Sequence, residues 1–119
     1  MKITQAFTFE AAHCLPKAPE NHRCHQMHGH SYHVELRLEG PVDPDTGFVV
    51  DFVHVEATFR PLLQRLDHQC LNQINGLENP TAESVAIWIW DQTKPLLPEL
   101  TSVKVAETPT CWAEYEGQS

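Results

Sequence analysis

Long apolar runs are missing from this sequence, and no stretch approaches the length that a membrane-spanning helix requires. The first residues, MKITQ, carry no apolar segment of the kind that begins a secretory signal. The four cysteines form no CxxC pair and no dense disulfide framework, which is typical of a reducing compartment. We therefore expect a cytoplasmic protein whose cysteines are unpaired thiols and which has no membrane partner.

Basic residues are also scarce, because 8 Lys and Arg stand against 16 Asp and Glu, for a formal net charge of -8. An acidic surface argues against broad binding to a nucleic-acid backbone. It leaves room for a small anionic substrate, because Lys17, Arg23 and nearby histidines form a local basic cluster. Internal repeats are absent, and 119 residues suit one modest core, so residues 1–119 are predicted to form one domain.

Three of the eight histidines lie where predicted strands end. Alternate residues of a strand share a face, and from Phe7 onward the odd positions are apolar until His13. From His30 onward the even positions are apolar or aromatic as far as Leu38, and His28 falls on the same face as His30. Three imidazoles with no obvious fourth protein ligand are typical of a catalytic zinc site, whose open position receives water or substrate.

Cys24 supports two interpretations. As a fourth zinc ligand it would close the site and make it structural. As a free thiol between Arg23 and His25, close to a bound cation, it would be reactive. The residue types favour the reactive thiol. Other histidines are expected to lie on the surface, namely His22, His33 and His54.

Two helices are predicted in the second half of the chain. Residues 48–52 predict extended structure, and a helix then begins near Val53 and carries an apolar stripe as far as Leu66. The second helix is predicted over residues 82 to 97, with Thr81 as its N-cap. Apolar residues cover more than one face of this second helix, which indicates burial against both its own sheet and a neighbouring subunit.

Carboxylates occur at two informative positions. Asp67 and His68 follow the first helix, where an Asp-His pair is more often a local cap than a catalytic pair. Glu107 ends an apolar alternation with Val103 and Val105, and a surface loop is the alternative interpretation of its position. The last two strands are predicted at residues 102–107 and 110–115. This order of elements predicts an α+β fold, in which a four-stranded antiparallel sheet carries two helices on one face.

Six segments of the chain together carry a family resemblance, and they are FEAAH (9–13), CHQMHGH (24–30), GFVVDF (47–52), LDH (66–68), LENPT (77–81) and VAET (105–108). With these segments the sequence resembles the 6-pyruvoyl-tetrahydropterin synthase superfamily over nearly its whole length. Three residues separate Cys24 from the HGH element, and this spacing is similar to that of the carboxy-forming subfamily. The set of segments is specific, whereas a lone HGH element would not be.

The resemblance implies the tunnelling fold, in which subunits close a barrel as trimers and two trimers stack into a homohexamer. It implies Zn(II) as the cofactor, held by His13, His28 and His30. It also implies Cys24 as the catalytic thiol, with Asp67 and His68 as acid-base partners. The pterin ring is expected to be gripped by Glu107, with further substrate contacts predicted at Thr108, Thr81 and Arg23. The active site of the family lies between subunits.

The implied reaction converts 7,8-dihydroneopterin triphosphate to 6-carboxytetrahydropterin, with loss of triphosphate and acetaldehyde, in queuosine biosynthesis. Two alternatives stand beside this reaction. One is a sibling enzyme on the same scaffold, such as a pyruvoyl-forming synthase or a dihydroneopterin-processing aldolase. The other is a non-enzymatic, zinc-stabilised pterin-binding protein, which would need Cys24 only as a metal ligand.

Overall fold

Two long strands, β1 (Lys2–His13) and β2 (His28–Glu39), form an antiparallel pair in the computed structural model, which describes residues 1–117. The predicted alternation is confirmed on both strands. The odd residues of β1 from Phe7 to His13 are buried, and so are the even residues of β2 from Tyr32 to Leu38. Phe9 pairs with Tyr32, and their rings stack with centroids 4.7 Å apart. Each strand therefore turns one apolar face toward a common core.

The helices α1 (Phe52–Leu66) and α2 (Ala82–Thr93) cover this face of the sheet. The side chain of Asp51 caps α1 by accepting a hydrogen bond from the N–H of Val53. The predicted extended segment at residues 48–52 is wrong, because residues 48–51 form no strand and Phe52 already begins the helix. The α2 helix ends earlier than predicted, two residues before Pro95, because proline has no N–H to continue the hydrogen-bond ladder.

The strands β4 (Leu100–Thr108) and β5 (Cys111–Tyr115) extend the sheet beyond β2. The two residues of β3 (Gln69–Cys70) pair in parallel with β1 at the other edge. Within residues 1–117 the sheet therefore has five strands in the order β3-β1-β2-β4-β5, and the prediction of a purely antiparallel four-stranded sheet is wrong in this detail. Two residues are too few to show an alternating pattern, which is why β3 was not predicted.

The hydrophobic core lies between the sheet and the helices, where α1 packs on β1 and α2 packs on β4 and β5. The predicted stripe of α1 is confirmed, since its apolar residues from Val55 to Leu66 are buried. On α2 the ring of Trp88 is buried, whereas Ile87 is exposed. No helix in the described part of the chain is both long and apolar enough to cross a membrane.

Candidate metal centre

The pairing of β1 with β2 brings three histidines together at one end of the sheet. His13 lies directly opposite His28, and His30 lies opposite Ala11, whose small side chain leaves room for an imidazole. Residues directly opposite in an antiparallel pair share a face, as do residues two apart on one strand. All three rings therefore occupy the same end of the buried face. Their centroids are 4.6 to 5.1 Å apart.

The nitrogen atoms of these rings converge on one point. One ring nitrogen from each of the three histidines lies within 4.8 Å of the other two. The Nε2 atoms of His13 and His28 are 3.0 Å apart. Imidazole nitrogens bound to one tetrahedral zinc ion at 2.0–2.1 Å would be about 3.3 Å apart. The spacing of His13 and His28 is thus close to that of two ligands of one metal ion, and His30 is near enough to be the third.

Backbone carbonyls hold two of the rings in the tautomer that metal binding requires. The Nδ1–H of His13 donates to the oxygen of Pro80 at 2.8 Å, and the Nδ1–H of His28 donates to the oxygen of Gln26 at 2.8 Å. A carbonyl can only accept, so both Nε2 atoms carry lone pairs that face each other. Facing lone pairs repel unless a cation lies between them. The arrangement therefore fits a metal ion, and the carbonyls act as outer partners of its ligands.

The surroundings also keep His13 and His30 neutral. Burial lowers the pKa of both below the ordinary value of 6.5, and this effect is only partly opposed by the hydrogen bond of His13 to Pro80 and by the charge of Glu107. Burial raises the pKa of Tyr32, so its hydroxyl stays protonated 3.1 Å from the Nδ1 of His13. Neutral imidazole is the form that binds a metal ion.

A cleft of about 410 Å³ opens beside the histidines. Most of the predicted site residues line it, together with one cysteine that sequence reasoning did not single out: Arg23, Cys24, His28, His30, Glu107, Thr108 and Cys111. All four cysteines are free thiols, as expected, and Cys24 is half-buried in the short helical turn Arg23–His25. The sulfur of Cys24 is not part of the converging group of ligand atoms within residues 1–117. A thiol and a carboxylate thus border the metal centre without closing it.

Glu107 is aimed at the histidines by a β-bulge. The β4–β5 pairing joins Ala106 to Trp112 and Thr108 to Cys111, which leaves Glu107 as the extra residue of β4. The Oε2 atom of Glu107 lies 3.7 Å from the Nε2 of His13. This residue therefore lies in a strand, and the surface-loop interpretation of its position is wrong.

Asp67 and His68 form a separate polar pair at the end of α1. The Oδ2 of Asp67 lies 3.0 Å from the Nδ1 of His68, and its Oδ1 accepts from the N–H of Glu10 at 2.9 Å. These two hydrogen bonds lower the pKa of Asp67, and the bond from the N–H of Glu10 has the larger effect. His68 has a φ of 59°, which is rare outside glycine, and its side chain is 78% exposed. With Nδ1 held by Asp67, the Nε2 of the ring lies on the side away from the carboxylate.

This pair does not line the cleft of Cys24. His68 borders a second cleft of about 570 Å³ beside β1 and β3, which His30 also lines. The Thr81 hydroxyl caps α2, since it accepts from the N–H of Ser84 at 3.1 Å, and it lines neither cleft. His22, His33 and His54 are exposed as expected.

Sequence reasoning missed the two carbonyl partners of the metal site. Pro80 precedes α2 and Gln26 precedes β2, and both act through backbone oxygens. Every residue has such an oxygen, so no residue type reveals it. Tyr32 was expected in the core, and its apolar neighbours gave no sign that its hydroxyl would reach His13.

The sheet is covered by two helices, and one of its strand pairs presents three histidines beside an open cleft. The chain is therefore an α+β protein with a candidate metal centre at a strand end. The comparison with known families is specific. The sequence profile of 6-pyruvoyl tetrahydropterin synthase matches residues 2–118, and the chain belongs to this family.

Relatives and solved structures agree with this assignment. The chain is 39% identical to a protein of Synechocystis sp. named 6-carboxy-5,6,7,8-tetrahydropterin synthase, over 95% of this chain and 91% of that protein. It is 33% identical to the dihydroneopterin monophosphate aldolase of Pyrococcus furiosus, over 82% of this chain and 78% of that protein. The structure of Caenorhabditis elegans 6-pyruvoyl tetrahydropterin synthase superposes with a TM-score of 0.92 at 27% identity, over 99% of this chain and 96% of that one.

Replacing His28 or His30 by alanine should weaken metal binding. Each change removes one of three converging nitrogens, so affinity should fall by more than the roughly 10- to 100-fold that loss of an outer partner causes. Competition with a metal chelator measures the affinity. His33→Ala is the matched control, because His33 lies on the exposed face of the same strand. Full metal occupancy in both variants would contradict the three-histidine assignment.

Replacing Asp67 by asparagine should lower the free energy of unfolding at neutral pH, and this loss should become smaller in acid. Its pKa lies below the ordinary 3.8, so the unfolded chain takes up the proton first as the pH falls. The stabilisation by ionised Asp67 is thus complete above about pH 5, begins to decline near the unfolded value of 3.8, and is lost as the pH falls through the lower pKa of the folded state. The difference in unfolding free energy between the wild type and Asp67→Asn should shrink in that range, as denaturant titrations would measure. A difference that stays constant down to about pH 3 would refute this view.

Proposed function

We propose that this protein is a zinc-dependent lyase that converts 7,8-dihydroneopterin triphosphate to 6-carboxytetrahydropterin, releasing acetaldehyde and triphosphate, in 7-deazaguanine biosynthesis. The observation that carries the proposal is one cleft bordered by two of the converging histidines, by Cys24 and by Glu107. The 39% identity to the Synechocystis protein named for this synthase supports the same reaction over its sibling reactions.

Zinc suits the donors, because neutral imidazoles bind it well and three protein ligands leave a position for a substrate. His13, His28 and His30 would hold the ion, and as a Lewis acid it would acidify the hydroxyls of the pterin side chain. Buried His13 is the anchor of this set, since it is only 1% exposed and its ring is held by Pro80. The ligand set is thereby held rigid before substrate arrives.

Cys24 is proposed to move protons at the side-chain carbons of the substrate. Its thiol borders the cleft but stays outside the converging ligand group, which favours a reactive thiol over a closed structural site. Its backbone N–H donates to the Nδ1 of His22 at 3.0 Å, and this contact holds the turn that carries it. Arg23 on the same cleft would attract the triphosphate.

Asp67 and His68 are proposed to relay protons on the other side of the substrate. Asp67 orients the ring and favours the tautomer with a free Nε2, and proton transfer of this kind contributes about 10²- to 10⁴-fold. His68 borders a different cleft from Cys24, so the complete site would combine His68 of one copy with Cys24 of another. Its 78% exposure in the single chain agrees with such a shared site.

Glu107 is proposed to grip the pterin ring. A carboxylate can accept the N3–H and the 2-amino hydrogens of the ring together, which forms a bidentate, charge-assisted pair. The Thr108 side chain beside it lines the same cleft and is available as a further contact. With the ring at Glu107, the substrate side chain would extend toward the histidines.

Replacing Cys24 by alanine should abolish most turnover while metal content stays unchanged, because the thiol is assigned to proton transfer. The measurement is mass spectrometry of the products formed from 7,8-dihydroneopterin triphosphate, together with metal analysis. Cys111→Ala is the matched control in the same cleft and should remain active.

Three results would contradict this prediction or the proposed reaction. A metal-free, unfolded Cys24→Ala variant would favour the structural site. A pyruvoyl product would identify a sibling synthase, and glycolaldehyde release would identify an aldolase. The absence of any product from the metal-loaded wild type would favour a pterin-binding protein.

We expect the protein to form a homohexamer in solution. The single chain has a radius of gyration of 15.3 Å, whereas a compact domain of its size has a radius of gyration of about 13.5 Å. The short β3 and β5 lie at open sheet edges, and Trp112 on β5 is 52% exposed. Light scattering should therefore give the mass of six chains of 13.5 kDa. A stable monomer would contradict both the assembly and the shared site.

A further inference from the structure

The carboxylate of Glu107 faces the metal centre as well as the cleft. Its Oε2 lies 3.7 Å from the Nε2 of His13 and 4.0 Å from the Nε2 of His30. We propose that Glu107 binds the metal ion at its open position when no substrate is present, and that it leaves the metal to grip the pterin ring. The second half of this exchange rests on the function proposed above.

The distances suit a ligand that is one side-chain movement from the ion. Around a tetrahedral zinc ion, a ligand oxygen and a ligand nitrogen lie about 3.3 Å apart. The two observed separations exceed that value by well under 1 Å. Glu107 is not yet within 4.8 Å of all three ligand nitrogens, since only the histidines form the converging group in residues 1–117. Rotation about its side-chain torsions would close the remaining gap, and its 24% exposure leaves room for this.

The backbone makes this orientation a built feature of the strand. Glu107 is the extra residue of the β-bulge between Ala106 and Thr108, and bulges beside active sites commonly redirect a side chain. The ladder resumes at Thr108, which pairs with Cys111, so both flanks of the bulge are held. Glu107 therefore has a fixed Cα and a mobile carboxylate, which is the combination that an exchanging ligand needs.

No Lys or Arg among the described residues holds the carboxylate away from the histidines. The basic side chains within 4.0 Å of Glu107 are those of His13 and His30. A half-buried carboxylate is costly without a cation or a hydrogen-bond donor as its partner. A metal ion held by the histidines would be one such partner, and the two N–H donors of a pterin ring would be another.

The exchange has a chemical consequence for the site. In the resting state the ion would have four protein ligands, which keeps competing anions from its open position. Arrival of the ring would draw the carboxylate away and free that position for the hydroxyls of the same substrate molecule. Ring binding and access to the metal would then be linked through one side chain.

The linkage can be measured with cobalt(II) and with unsubstituted pterin, which has the ring but no hydroxylated side chain. Cobalt(II) reports its coordination through its visible absorption. In the wild type, pterin should change the cobalt spectrum, and removal of the metal should strengthen pterin binding. Reciprocity requires pterin to weaken metal binding by the same factor.

Glu107→Gln should lower cobalt affinity by about 10-fold or more and should alter the pterin-free spectrum. Pterin should leave the spectrum of this variant unchanged. Glu114→Gln is the matched control, since Glu114 is an exposed carboxylate on the neighbouring strand β5. It should reproduce the wild type in both measurements.

Two results would overturn the proposal in different ways. Wild-type cobalt affinity and spectrum in Glu107→Gln would show that the carboxylate is not a metal ligand. A changed affinity in that variant, with no pterin binding to the wild type, would retain the ligand and overturn the exchange. The second result would also refute the proposed pterin chemistry. The experiment therefore distinguishes a failure of Glu107 as a metal ligand from a failure of the proposed function.

Discussion

The register of β1 against β2 is the constraint on which the metal centre depends. It places His13 opposite His28 and His30 opposite Ala11, so that three imidazoles meet. A slip by one residue would turn the rings of one strand to the other face of the sheet. The stacked pair of Phe9 and Tyr32 holds the register next to the site, because a slip would also expose an aromatic ring.

The same end of the sheet joins the fold to the site. His13 is a polar side chain that is 1% exposed, and burial of such a group is tolerated because its Nδ1–H donates to Pro80. Pro80 lies immediately before the N-cap of α2, so the ligand and the start of that helix hold each other in place. An ion bound at His13 would therefore stabilise the surrounding fold as well as the cleft.

Local patterns accounted for much of this arrangement. Alternation predicted the buried faces of β1 and β2, and with them the shared face of His13, His28 and His30. Capping chemistry predicted the start of α2 at Thr81. Patterns failed where an element was too short or where a bond had no residue-type signature, as at β3 and at the carbonyl of Gln26. Asp67 illustrates why a local pattern cannot assign a role. Its N–H caps the end of α1 and its carboxylate orients His68, and the same Asp-His pattern fits both roles.

The sequence by itself determined which side chains could act together, because strand periodicity and cap preferences are local and operate within a few residues. Only the tertiary structure decided which of them meet. It brought Cys24 and Glu107, far apart in the chain, to one cleft and put His68 at another. The bulge that turns Glu107 toward His13 arises from its pairing with β5. Such contacts depend on register and packing between distant segments, and no local pattern encodes them.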